Sequence, residues 1–167
     1  MNKIAFQDCY PDELSHCYGC GKNNSDGHQL KSYWHTENGQ ISEQIAENTI
    51  AHFTPKHCHI AIPGFVYGGL IASLIDCHGT GSAAAMAYRQ AQRPMGTEPA
   101  LRFVTAALNI SYLAPTPMGR ELELIGVFSE VKEKKVVVEI TVYAGDIICA
   151  KGTVIAVKMP SSMVKEH

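Results

Sequence analysis

The run Pro63–Ala91, PGFVYGGLIASLIDCHGTGSAAAMAYRQA, constrains the fold more than any other part of the chain. Leu70, Ile71, Leu74 and Ile75 recur at helical spacing, and Gly79, Gly81, Ser82 and Ala83–Ala85 follow with almost no side chain. The pattern predicts one long helix entered through the pair Gly68–Gly69. Each glycine inside a helix costs about 1 kcal/mol against alanine, so Gly79 and Gly81 imply that something packs against the backbone there. Asp76 is a lone carboxylate among these apolar and small residues. A solvated face would not be built this way, which makes Asp76 the first candidate for chemistry.

The rest of the chain fits an envelope for that helix. The runs 29–36 and 40–46 read as strands flanking Asn38–Gly39, a dipeptide suited to a tight hairpin turn. The segment 47–63, with Pro55, Pro63 and His52, His57 and His59, reads as an ordered loop feeding the helix. Four further strands are expected at 101–113, 121–131, 136–143 and 147–157, joined by connections short enough for antiparallel hairpins. In 136–143, Val136, Val138, Ile140 and Val142 alternate with Glu139 and Thr141, so that strand keeps a wet face. The prediction is an α+β domain, an antiparallel sheet wrapped around one long central helix, over residues 29–158. Residues 1–28 read as an N-terminal arm and 159–167 as a frayed tail.

A chain of 167 residues with a net charge of −2 carries no basic surplus for nucleic acid and no apolar run long enough to span a bilayer. The opening residues carry acids and a proline where a signal peptide needs an apolar core, so a cytoplasmic protein with reduced cysteines is expected. Cys17-Tyr-Gly-Cys20, flanked by His16 and His28, and His57-Cys58-His59 further on, together offer metal-ligand types. A structural zinc site shows four well-spaced ligands, and no second paired-cysteine motif follows. Cys17 and Cys20 are therefore expected to pack without metal.

Three motifs give the chain a family likeness over residues 16–157. They are Cys-Tyr-Gly-Cys-Gly21, Pro63-Gly-Phe-Val-Tyr-Gly-Gly69 leading into Leu-Ile-Ala-Ser-Leu-Ile-Asp76, and Val104-Thr-Ala-Ala-Leu-Asn-Ile-Ser-Tyr112. In these the chain resembles the hotdog-fold acyl-CoA thioesterases of the PaaI-like branch. The resemblance implies hydrolysis of an acyl-CoA thioester, with coenzyme A as part of the substrate and no separate cofactor. It implies that Gly68 and Gly69 supply backbone N–H groups to the thioester carbonyl, that Asp76 acts as general base or nucleophile, and that Thr105 assists. Tyr67 stands where this branch commonly has histidine; a phenol still donates a hydrogen bond. Lys132, Lys134 and Lys135, in one turn, are candidates for the phosphates of coenzyme A. The resemblance also implies a homodimer or dimer of dimers with sites between subunits, Asp76 coming from one chain and Thr105 from its neighbour. Two other readings are a non-catalytic acyl-CoA sensor and, last, a hydroxyacyl-thioester dehydratase prompted by His52-Phe53 and Pro63-Gly64. The dehydratase needs an acid a turn into the helix, and Val66 through Ile75 holds none.

Overall fold

A computed structural model describes residues 4–35 and 48–163. The helix α1, Gly68–Gln90, is the axis of the molecule. At 1.5 Å per residue it is about 34 Å long. It starts after Tyr67, whose φ of −73° and ψ of 143° hold the backbone extended. Leu70, Ile71, Leu74 and Ile75 are fully buried on it, and Ala83, Ala84 and Ala85 continue the buried surface toward its end.

Beside short 3-10 turns, the described residues form the strands β1 Ser32–Trp34, β2 Asn48–Phe53, β3 Phe103–Tyr112, β4 Leu122–Lys132, β5 Lys135–Ala144 and β6 Ile147–Lys158. They form one six-stranded sheet in the order β1-β2-β4-β5-β6-β3, every pair antiparallel. This is the hotdog arrangement, with the helix held against the concave face of the sheet. Val136, Val138, Ile140 and Val142 of β5 are buried while Glu139 faces out, as their alternation requires.

Small residues set how closely helix and sheet approach. A Cβ at Gly79 would lie 2.6 Å from the Val154 side chain, and one at Gly152 would lie 2.7 Å from Ile75 Cγ2. At Gly81 it would meet Gln7 Nε2 at 2.6 Å. The mid-helix glycines are thus the points at which β6 and the N-terminal segment touch the helix backbone. Residues 4–35 add Phe6, Tyr10, Cys20 and Leu30 to the buried set.

Two readings of the sequence change here. Asn48–Phe53, expected within a loop, is a strand paired with both β1 and β4. The partner strand expected at 40–46 and the Asn38–Gly39 turn lie outside the described residues. Among the described residues the strand beside β1 is therefore β2, with Thr49 and Ala51 buried and Ile50 only half-buried.

Candidate active site

Asp76 lies on the third turn of α1 and is half-buried. Thr105 of β3 donates its hydroxyl hydrogen bond to Asp76 Oδ1. A β-bulge between Thr105 and Ala107 interrupts the β3–β6 ladder at this point, as bulges do where a strand re-aims a side chain. Burial raises the Asp76 carboxyl above the ordinary carboxylate range; the Thr105 hydrogen bond lowers it in part, and the nearby Cys17 charge pushes it up again. The result is a carboxylate with one oriented oxygen and an elevated proton affinity, suited to taking a proton from water or attacking a carbonyl.

Both partners belong to one chain. The expected division, Asp76 from one subunit and Thr105 from the next, is corrected by this contact: the sheet carries β3 across the third turn of its own helix.

Gly68 and Gly69 are exposed at the first two helical positions. Tyr67 makes no side-chain cap hydrogen bond, leaving the first amides of α1 without a local acceptor from that residue. The Tyr112 hydroxyl donates to Gly68 O at 2.8 Å, and a Cβ at Gly69 would lie 2.4 Å from the Tyr67 ring. Tyr67 therefore folds back over the helix start, 38% exposed. A depression of about 290 Å³ lined by Val66, Gly68, Ile71 and Tyr112 to Thr116 opens at this end, and neither Asp76 nor Thr105 lines it.

Lys132 and Lys135 both pair with Glu130, the latter at 2.7 Å. The two cations hold the Glu130 carboxyl down to about 2. Lys132 and Lys134 are exposed. Their turn stands two strands from Thr105 through the register Thr105–Ala156–Val136. A cavity of about 380 Å³ lies between that turn and the last turns of α1, lined by Ala87, Arg93, Phe103, Val131, Lys132 and Lys158 among others. His52 lies on β2, its Nδ1 3.3 Å from Glu121.

Two polar constellations on α1 were not assembled by sequence reasoning. On the far side from Asp76, His78 is fully buried, its Nδ1 2.9 Å from Ser32 Oγ and its Nε2 3.2 Å from Thr49 Oγ1. Thr49 continues to Ser82 at 2.7 Å, and Ser32 to Gln7 at 3.0 Å. Burial lowers the His78 pKa to about 4, so the ring is neutral. Next to Asp76, Cys77 meets Cys17 and Cys20, all sulfur atoms within 4.8 Å of one another. Hydrogen bonds from the Cys20 and Cys77 thiols and from backbone N–H groups stabilise Cys17 as the thiolate and hold its pKa far below that of a free thiol. Those of Cys20 and Cys77 rise correspondingly.

Among the described residues no helix is long and apolar enough to cross a membrane. Residues 63–151 match the model of the thioesterase superfamily. A thioesterase superfamily protein from Shewanella loihica is 56% identical, with 90% of this chain and 100% of that one covered and a TM-score of 0.64. The PaaI protein of the Escherichia coli phenylacetic acid degradation operon shares the fold at 15% identity, covering 68% of this chain and 74% of that one, TM-score 0.57. So does a Streptococcus mutans protein solved with acetyl CoA bound, at 21% identity, 68% and 82% coverage and a TM-score of 0.55. No curated protein matches. Helix, sheet, motif order and a close relative agree: this chain belongs to the thioesterase superfamily.

Proposed function

We propose that the protein hydrolyses an acyl-CoA thioester, with Asp76 as general base or nucleophile. The observation that carries this reading is the Thr105–Asp76 hydrogen bond on a half-buried, proton-avid carboxylate. Relatives of the same fold solved with coenzyme A or acetyl CoA support the substrate class. Thr105 fixes one carboxylate oxygen and leaves the other to attack the carbonyl carbon or to take the proton of a water that does so. The thioester carbonyl oxygen turns anionic as the tetrahedral intermediate forms, and amides at a helix start stabilise it. Collapse of the intermediate expels the coenzyme A thiolate.

One helix does not supply both halves of that site. Gly68 and Asp76 are eight residues apart, about 12 Å along the axis. A carbonyl about 1.2 Å long bridges a donor and an attacking oxygen over roughly 7 Å. In this reading the amides of Gly68 and Gly69 serve the Asp76 of a second chain. The β3 edge offers the joint: it pairs with β6 on one side, has no partner on the other among the described residues, and carries exposed Leu108 and Tyr112. Pairing two copies along β3 would cover both edges. In this reading the homodimer is the working unit, and Lys132, Lys134 and Lys135 meet the coenzyme A phosphates.

Thiol release from short, long and aromatic acyl-CoA esters tests the function. Turnover of at least one class is expected; saturable binding of all classes without thiol release would identify an acyl-CoA sensor instead.

A further inference from the structure

We propose that Cys17, Cys20 and Cys77 form a binding site for a thiolate-seeking divalent metal ion, zinc foremost, which clasps the N-terminal segment to the central helix. The site does not depend on the acyl-CoA reading. Its first support is spacing. Cys17 Sγ and Cys77 Sγ are 3.8 Å apart, and the third sulfur lies within 4.8 Å of both. Zinc–sulfur bonds of about 2.3 Å at a tetrahedral angle place sulfurs about 3.8 Å apart. The set needs only a small contraction around an ion.

The second support is the backbone that presents the pair. Gly21 N donates to Cys17 O at 2.7 Å, closing a tight turn, and a Cβ at Gly21 would lie 2.5 Å from Cys17 N. A Cβ at Gly19 would sit 2.2 Å from Cys77 Sγ. Both glycines are thus required for the turn to curl around the Cys77 sulfur. Hydrophobic packing asks for none of this convergence. Cys20 and Cys77 are buried while Cys17 is at the surface, which gives an ion a way in.

Chemically, the ligands bind as thiolates, and metal binding would release the thiol protons of the cluster to solvent. Three thiolates select a borderline-soft ion over magnesium or calcium. The group among the described residues holds these three ligands, so water or a solute would complete the tetrahedron.

The test is elemental analysis of the full chain from zinc-supplemented cells, purified without chelator, with cobalt(II) titration of the metal-stripped protein. About one zinc per chain and a thiolate-to-cobalt charge-transfer band are expected. Both should vanish in Cys17→Ser, a surface change whose fold is checked by circular dichroism, and in Cys77→Ser; Cys149→Ser should keep both. Wild-type protein with neither zinc nor the cobalt band would overturn the proposal. Metal retained by folded Cys17→Ser, or a Cys17–Cys77 disulfide in metal-free protein as isolated, would do the same.

Discussion

Asp76 and His78 stand two residues apart on one helix and face opposite ways into two kinds of polar environment. His78 is sealed: both ring nitrogens have hydroxyl partners, those hydroxyls have partners of their own, and burial keeps the ring neutral. Asp76 is half-open, with one hydrogen bond on one oxygen and a carboxyl whose proton affinity burial has raised. A closed network ties β1, β2 and the N-terminal segment to the helix and has nothing left to offer a substrate. An open one has an unspent lone pair. The difference separates a structural histidine from a candidate catalytic carboxylate more sharply than residue type does.

Substitutions at the two positions should therefore fail in different ways. Asp76→Asn should lower turnover by about a hundredfold or more with acyl-CoA binding and thermal stability retained. Wild-type-like thiol release would remove Asp76 from the mechanism. His78→Ala should do the reverse, costing about 2–4 kcal/mol of stability through the cavity and the stranded hydroxyls of Ser32 and Thr49, with activity per folded molecule little changed. Denaturant titration alongside thiol release reads both quantities, and a stable His78→Ala protein would break the contrast.

Smaller effects sharpen it. His78 titrates near 6.5 when unfolded and at about 4 when folded, so its titration leaves stability unchanged above pH 6.5. Between pH 6.5 and 4 the unfolded chain takes up the proton first, and stability should fall by up to about 3 kcal/mol. Denaturant midpoints across that window should show the decline in the wild type and a flatter course in His78→Leu. Thr105→Val should cost about tenfold in turnover, the worth of a hydrogen bond to a charged group. Because that bond lowers the Asp76 pKa, its loss should also move the acid limb of the pH–rate profile to higher pH. An unmoved limb would show that Thr105 does not act through Asp76.

The sequence made the helix legible through the spacing of Leu70, Ile71, Leu74 and Ile75, β5 through its alternation, and β3 through its β-branched and aromatic content. It hid β2, where the inward positions Thr49 and Ala51 are polar or small and the apolar Ile50 is only half-buried. The inverted pattern exists because Thr49 serves His78 and Ser82, a tertiary demand that no local window contains. Asp76 stood out as an isolated charge, whereas Thr105 looked like any strand threonine and needed the family resemblance. Its placement in the same chain depends on a bulge and on sheet curvature, neither of which is written in Val104-Thr105-Ala106. Cys77 was invisible as a partner of Cys17 and Cys20 because 56 residues of chain separate it from Cys20, and within the helix it reads as one more small apolar residue.

The central claim is that Asp76 and Thr105 act together in one chain and are completed by the helix start of another. Subunit exchange tests it with Asp76→Asn, Thr105→Val and Gly68→Pro. Proline at the first helical position removes one amide N–H, its Cβ asks the Tyr112 ring, 3.3 Å away, to give slightly, and Tyr67 already has the extended backbone that a residue before proline requires. Mixing Asp76→Asn with Gly68→Pro at random exchange makes half the dimers mixed, each with one intact site of two. Activity should rise to roughly a quarter of wild type. Asp76→Asn with Thr105→Val should give no more than the average of the two. Recovery in the second mixture and none in the first, with exchange verified by mass, would contradict the account.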